Sequence, residues 1–198
     1  CPVGVGVSPD SNRGSMHVSI IISTYGEAHW AKLAEERALK SAWDQGAYEV
    51  LKAHHPKGPI ALARNELATA AEGDWLCFLD ADDELAPGYL DAMRRALEQE
   101  RHDGDLLLTP AVQRVRKNGS LAGSPSFFDR GIPLSDDNWL VLGTLIRRDL
   151  FEAVGGFSDY PHGFEDWSLW YKATHVGARI VKVPDAVYRY WLNPNSKH

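Results

Sequence analysis

The apolar run Trp75-Leu76-Cys77-Phe78-Leu79 breaks directly into Asp80-Ala81-Asp82-Asp83. Five apolar residues bounded by charge make a strand buried on both faces, which requires a sheet covered by helices on each side. In open α/β sheets, ligands gather at the carboxyl ends of such strands. Here that end delivers three carboxylates within four residues. Carboxylates this close repel one another unless a cation or hydrogen-bond donors neutralise them. Hard divalent ions such as manganese or magnesium take oxygen ligands and bridge to substrate phosphates. The plainer alternative is a solvated acidic turn at a strand end.

The rest of the chain fits a layered α/β sheet. Val18 to Ser23 is a β-branched run and reads as a central strand. Residues 27–44 carry Trp30, Leu33, Ala34, Ala38 and Trp43 at helical spacing, and Gly46 stops the helix. Tyr48 to Ala53 reads as a second strand and Ile60 to Ala71 as a second helix. Pro87 opens a third helix, with Leu90, Met93 and Leu97 on one stripe. This alternation implies a single domain with a mixed, mainly parallel sheet flanked by helices.

The second half is less regular. Asp105 to Arg116 reads as a strand turning at Asn118-Gly119, and Ser124 to Asp137 as a loop. Trp139 to Ile146 reads as a strand, Arg148 to Val154 as a short helix and Phe164 to Thr174 as a longer one. Ile180 to Val183 and Val187 to Leu192 read as the last strands.

Composition narrows the function classes. The chain has 198 residues and a formal net charge of −6, which argues against nucleic acid or an anionic membrane surface as partner. No apolar run approaches the ~20 residues of a transmembrane segment. With Cys1 in a leader and Cys77 in a strand, no disulfide framework emerges, and a cytoplasmic setting is expected. Residues 1–15 are rich in Gly, Pro, Ser and Asn and read as a disordered leader or tag, with Gly14-Ser15-Met16 in the form of a cloning scar. The folded domain is expected over 16–198.

Five segments, taken in order, resemble family 2 glycosyltransferases, inverting enzymes with the GT-A fold. They are the strand Val18 to Tyr25, the helix Ala38 to Gln45, Ala63-Arg64-Asn65-Glu66, Leu79-Asp80-Ala81-Asp82-Asp83, and Gly155-Gly156-Phe157 followed by Gly163-Phe164-Glu165-Asp166-Trp167. The resemblance spans residues 17–194. It implies a GT-A-like fold and hexosyltransferase-type transfer of a sugar from a nucleotide-sugar, with a UDP-sugar as donor. The acceptor hydroxyl would belong to a glycan, a protein or a lipid-linked molecule.

The resemblance also assigns roles. Asp82 would ligate a divalent metal, Mn2+ or Mg2+, and Asp80 would contact the ribose or reach the metal through water. Asp166 would be the general base that takes the acceptor proton, with Glu165 beside it binding the acceptor or setting the geometry. Without the resemblance, two acids at a helix start simply complement the helix dipole. Thr24, Tyr25, Glu27 and Arg64 would line the donor pocket. Glu27 has an equal alternative as a helix cap, and Arg64 as a surface partner of Glu66 or Glu72. Asp83 reads foremost as a turn residue, with a supporting place behind the metal ligands as the alternative. Trp167 and Trp170 read as core, while Trp139 reads equally as core or as an acceptor contact.

Two positions depart from the family pattern. His54-His55-Pro56-Lys57 stands where relatives carry Asp-Asp-Gly-Ser, so His54 takes the place of a base-reading carboxylate. A zinc site at this pair lacks a third ligand in the sequence nearby. Asn193 stands where a His near the metal is usual. Two rival functions use the same residues: a haloacid-dehalogenase-type phosphatase with Asp80 as nucleophile, and a non-catalytic nucleotide-sugar binding module. Glu84 and the two βα units ahead of the motif weigh against the first, and Glu165-Asp166 against the second.

Overall fold

The computed structural model describes residues 16–100, 104–129, 131–160 and 163–192. The leader and Asn193 therefore lie outside the described residues. The elements are β1 (Val18–Tyr25), α1 (Ala28–Glu36), α2 (Ala38–Trp43), β2 (Glu49–His55), α3 (Ile60–Ala70), β3 (Trp75–Leu79), β4 (Glu84–Leu85), α4 (Tyr89–Gln99), β5 (Leu106–Val115), β6 (Leu121–Ser126), β7 (Leu145–Arg147), α5 (Arg148–Ala153), α6 (Glu165–His175) and β8 (Arg179–Trp191).

The strands run in the order β2-β1-β3-β7-β5-β8-β4, with β6 added beside β5. The long registers β1/β2, β1/β3 and β5/β8 are parallel, and the shorter ones through β7, β4 and β6 are antiparallel. Alternation in β1 sets the two faces. Ile20 and Ile22 pack with Ala34, Ala38 and Ala42 of α1–α2 and with Tyr89, Leu90 and Met93 of α4. Ile21 packs with Ala61, Leu67 and Ala68 of α3, Phe151 of α5 and Leu169, Trp170 and Ala173 of α6. On that second face Phe78 meets the edge of Phe157 at 4.7 Å and Phe151 at 5.4 Å. Truncating such a buried ring costs about 3–5 kcal/mol.

The order forces the sheet to curl. β4 lies four strand steps from β3, roughly 19 Å in a flat sheet. Yet only residues 80–83 connect them, and they form a turn in which the Asp83 N–H donates to the Asp80 carbonyl at 3.2 Å. A turn cannot bridge that span, so the far edge returns to the end of β3.

The structure revises four expected elements. The helix over 27–44 breaks at Arg37, whose φ of −125° and ψ of −75° are not helical. Its guanidinium is drawn to the Asp80–Asp83 turn, donating to the Asp82 carbonyl at 2.6 Å and lying 3.8 Å over the Trp191 ring. A strand, β6, begins the segment expected as a loop; its residues are mostly exposed, so no apolar alternation announced it. The strand expected over 139–146 shrinks to Leu145–Arg147. Its missing part is a buried loop in which Leu140 and Leu142 mimic strand alternation and Gly143 packs on Tyr188. The two last strands fuse into β8, which tolerates Pro184 through a register shift opposite Pro110 and Ala111.

Candidate active site

The carboxyl ends of β1, β2 and β3 lie side by side. Parallel pairing sets Thr24 opposite His54 and Tyr25 opposite His55. The Thr24 hydroxyl and His54 Nδ1 share a hydrogen bond at 3.0 Å, while the Tyr25 ring is left exposed at the rim. His55 Nε2 lies 3.5 Å from the Glu66 carboxylate. Glu27 occupies the N-cap position of α1 but makes no side-chain capping bond; its carboxylate faces His29 Nδ1 at 3.2 Å.

Arg64 organises the centre. It projects from α3, is 5% exposed, and donates from Nη1 to Glu165 Oε1 and from Nη2 to Asp80 Oδ1, both at 2.7 Å. Burial opposes its charge, but Asp80, Glu165 and Asp166 outweigh that and hold the guanidinium protonated. The alternative pairing of Arg64 with Glu66 or Glu72 is therefore replaced by one with Asp80 and Glu165. The fork-shaped guanidinium suits two carboxylates approaching from different elements.

Asp166 opens α6 beside this pair. Its Oδ2 accepts from Asn138 Nδ2 at 3.0 Å, and its Oδ1 from the Trp167 N–H at 2.8 Å. Burial raises its pKa above the ordinary carboxylate value; Arg64 opposes the rise and Glu165 adds to it. The chain enters α6 through Gly163 at φ 92° and Phe164 at φ 71°. A left-handed bulky residue is strained by roughly 1–3 kcal/mol. That geometry leaves the Phe164 ring exposed.

Asp83 is neither a surface turn residue nor a member of the open site. It is buried, accepting from the Tyr188 hydroxyl and the Trp191 N–H at 2.8 Å each. Burial lifts its carboxyl well above the usual range, and Asp80 and Asp82 push the same way. Trp191 Nε1 donates to Glu84 at 3.1 Å. The end of β8 is thus fastened to the turn that carries Asp80 and Asp82.

Trp170 is fully buried core, as expected. Trp167 is only part-buried: Nε1 donates to the Leu134 carbonyl at 2.6 Å, and its ring meets Phe164 at 5.8 Å. Trp139 is half-buried and packs in the α3–α5–α6 core, with Lys182 5.4 Å from its ring. Arg37, Asn65 and Asn138 were not legible as site-building residues. Asn65 stood inside a quoted motif, and Asn138 in a polar loop without local pattern. Arg37 offered no signal inside a helical stretch.

Among the described residues, no group of three His, Cys, Asp or Glu converges to hold a metal ion. Asp80 and Asp82 at one turn are a donor set of two carboxylates, with one Asp80 oxygen engaged by Arg64. That fits a magnesium-like ion completed by substrate phosphates, and not a closed zinc site.

The comparisons agree with this fold. Solved structures with the same fold include S. aureus TarS 1-349 in complex with UDP-GlcNAc, at a TM-score of 0.70 and 18% identity over 92% of this chain and 60% of that one. TarS 1-349 in complex with UDP gives 0.66 and 18% over 90% and 61%. The chain therefore spans about three fifths of TarS 1-349. A curated relative, the uncharacterized glycosyltransferase YwdF of Bacillus subtilis (strain 168), is 26% identical, covering 88% of this chain and 74% of its own. Residues 46–158, more than half of the sequence, match the profile of glycosyl transferase family 2. That stretch contains Arg64, the Asp80–Asp83 turn and the Gly155-Gly156-Phe157 segment, and the chain belongs to glycosyl transferase family 2.

Proposed function

We propose that this domain transfers a sugar from a UDP-sugar to an acceptor hydroxyl with inversion at the anomeric carbon, assisted by Mn2+ or Mg2+. The observation that carries the reading is the single guanidinium of Arg64 joining Asp80 at the end of β3 to Glu165 at the start of α6. It brings the nucleotide side and the acid pair of α6 to one place, although Arg64 and Glu165 are 101 positions apart in sequence. The UDP and UDP-GlcNAc bound by TarS support a uridine donor.

Thr24, Tyr25 and His54 form the wall against the base, where His54 replaces a carboxylate by a ring that both donates and accepts. Asp80 is placed toward the ribose. Asp82 would hold the divalent ion, which would supply neutralisation of charge on the leaving diphosphate. Asp166 accepts the acceptor's hydroxyl proton as that O–H bond breaks. The oxygen forms its bond to C1 on the face opposite the diphosphate, and the C1–O bond breaks with its electron pair leaving on UDP. Asn138 and the Trp167 N–H hold the Asp166 carboxylate in orientation, and its raised pKa makes it a stronger base than an exposed carboxylate. Glu165, tied to Arg64, fixes the entry of α6.

Calorimetry of UDP and UDP-GlcNAc with and without manganese tests the donor side. Binding is expected to require the ion and to be lost in Asp82→Ala. Equal affinity in wild type and variant would remove Asp82 as ligand.

A further inference from the structure

Arg37, Ser41 and Gln45 stand four residues apart, at the head of α2, within it and just past its end. Residues at that spacing share one side of a helix. All three engage the backbone that leaves β3. Arg37 Nη1 donates to the Asp82 carbonyl at 2.6 Å, Ser41 Oγ accepts from the Leu85 N–H at 3.1 Å, and Gln45 Oε1 accepts from the Leu90 N–H at 3.4 Å. The polar row therefore follows residues 82–90 in order. Its head is the point where the chain leaves helical geometry, yet the Arg37 N–H still donates to the Leu33 carbonyl and the Arg37 carbonyl still accepts from the Ser41 N–H, both at 3.0 Å. The hydrogen-bond ladder continues through the break while the Arg37 side chain reaches out to the turn.

The turn is thus held from three elements. Arg64 of α3 takes the Asp80 carboxylate, Tyr188 and Trp191 of β8 take Asp83, and Arg37 takes the peptide that follows Asp82. Arg37 also ties two of these together, because its guanidinium lies 3.8 Å over the Trp191 ring. A charge-assisted bond to a carbonyl is among the stronger hydrogen bonds, and this one restrains the backbone rotation on which the Asp82 side chain is carried. We propose that Arg37 is a positioning residue: it holds the Asp82 main chain so that the Asp82 carboxylate stays aimed at a divalent ion, and it touches neither that ion nor UDP. The proposal rests on the reading of Asp82 as the ligand. Groups that orient a metal ligand change metal affinity by about 10–100-fold when removed. Charge alone gives the opposite sign. A guanidinium beside a cation repels it, so losing the charge would tighten ion binding.

The test is calorimetry of UDP with and without Mn2+ on wild type, Arg37→Met, Arg37→Lys, Asp82→Ala and the double variant of Arg37→Met with Asp82→Ala, with a melting curve for each. The quantity read is the gain in UDP affinity that manganese brings. That gain should fall about tenfold in Arg37→Met and recover in part in Arg37→Lys, which keeps a charged donor. UDP without the ion should bind wild type and Arg37→Met alike. In the double variant the Arg37 change should add nothing to Asp82→Ala, since it acts through Asp82. Should Arg37→Met melt below the assay temperature, Arg37→Gln carries the same expectation. An unchanged or larger manganese gain in the Arg37 variants overturns the proposal. Weaker ion-free UDP binding in Arg37→Met overturns it too, by making Arg37 a phosphate contact, and additive losses in the double variant overturn the route through Asp82. The two readings separate cleanly. If wild type shows no manganese gain, or Asp82→Ala keeps it in full, the ligand assignment fails and the proposal with it. If Asp82→Ala loses the gain while Arg37→Met keeps it, the ligand assignment stands and the proposal alone fails.

Discussion

Residues 16–100 and 104–192 build their shares of the site in different ways. In the first half, three parallel strands present Thr24, His54 and Asp80 at neighbouring ends, and backbone pairing alone fixes their spacing. In the second half, Asn138 comes from a loop, Glu165 and Asp166 from a helix start behind a strained Phe164, and no sheet register places them. What places them is side chains sent across from the first half. Arg64 holds Glu165, and Asn65 brackets Phe157, donating to its carbonyl at 2.8 Å and accepting from its N–H at 2.9 Å. Asp83 holds Tyr188 and Trp191. In Arg64-Asn65 and in Asp82-Asp83, one residue thus faces the candidate site and its neighbour serves assembly. Gly156 shows how tight this bracket is: a Cβ there would lie 2.6 Å from Asn65 Oδ1 and 2.9 Å from Phe151.

The sharpest way to break the comparison is at the acid pair. Asp166→Asn keeps the shape of the side chain and removes the proton acceptor, so turnover should fall by about 10²–10⁴ while UDP affinity barely changes. The proposed mechanism has transfer depend on the deprotonated carboxylate. Because burial raises the Asp166 pKa, the acid-side loss of kcat/KM should begin at a higher pH than for an ordinary carboxylate. A pH–rate profile with its acid limb at or below that of an exposed Asp would remove Asp166 from this role.

Next in size is Arg64→Met, which leaves Glu165 and Asp80 without their shared cation. A buried pair broken on one side costs about 3–5 kcal/mol, and the partial exposure of Asp80 points to the lower end, ~3 kcal/mol. Urea unfolding measures the loss, and the unfolding slope shows whether the two halves still melt together. The smallest effect is expected from Asn65→Ala, which strands the Phe157 N–H and carbonyl at about 1–3 kcal/mol. If the halves are coupled as described, this variant should also weaken transfer, although Asn65 touches neither Asp80 nor Asp166. A variant that loses stability with full activity would make the bracket purely structural.

Much of the first half was legible because its signals are local. The Trp75–Leu79 run is apolar throughout since both faces are covered, and β1, β2, α3, β3 and α4 fall close to where the sequence pattern set them. The acid pair was legible only as a resemblance, and Asp80 only as one of a cluster of carboxylates at a strand end; nothing in their spacing says that one guanidinium joins them. Arg37 went unread and Asp83 was misread for the same reason. Their partners, Asp82 for one and Tyr188 and Trp191 for the other, lie 45 to 108 positions away. Burial of a charged residue against distant partners leaves no trace in a short window. The segment 139–144 was misread because buried loop and buried strand share the same alternation of apolar residues.

The curl of the sheet has a consequence for the life history of the chain. The turn Asp80–Asp83 is synthesised early, but the contacts that buttress it come from Tyr188 and Trp191, 105 and 108 residues later. β5 likewise waits for β8, its parallel partner. Non-local pairing of this kind forms late. On a ribosome, the parallel strands β1–β3 can therefore assemble well before the turn beside them is locked in place. Competence for chemistry then arrives in one final event, when β8 docks.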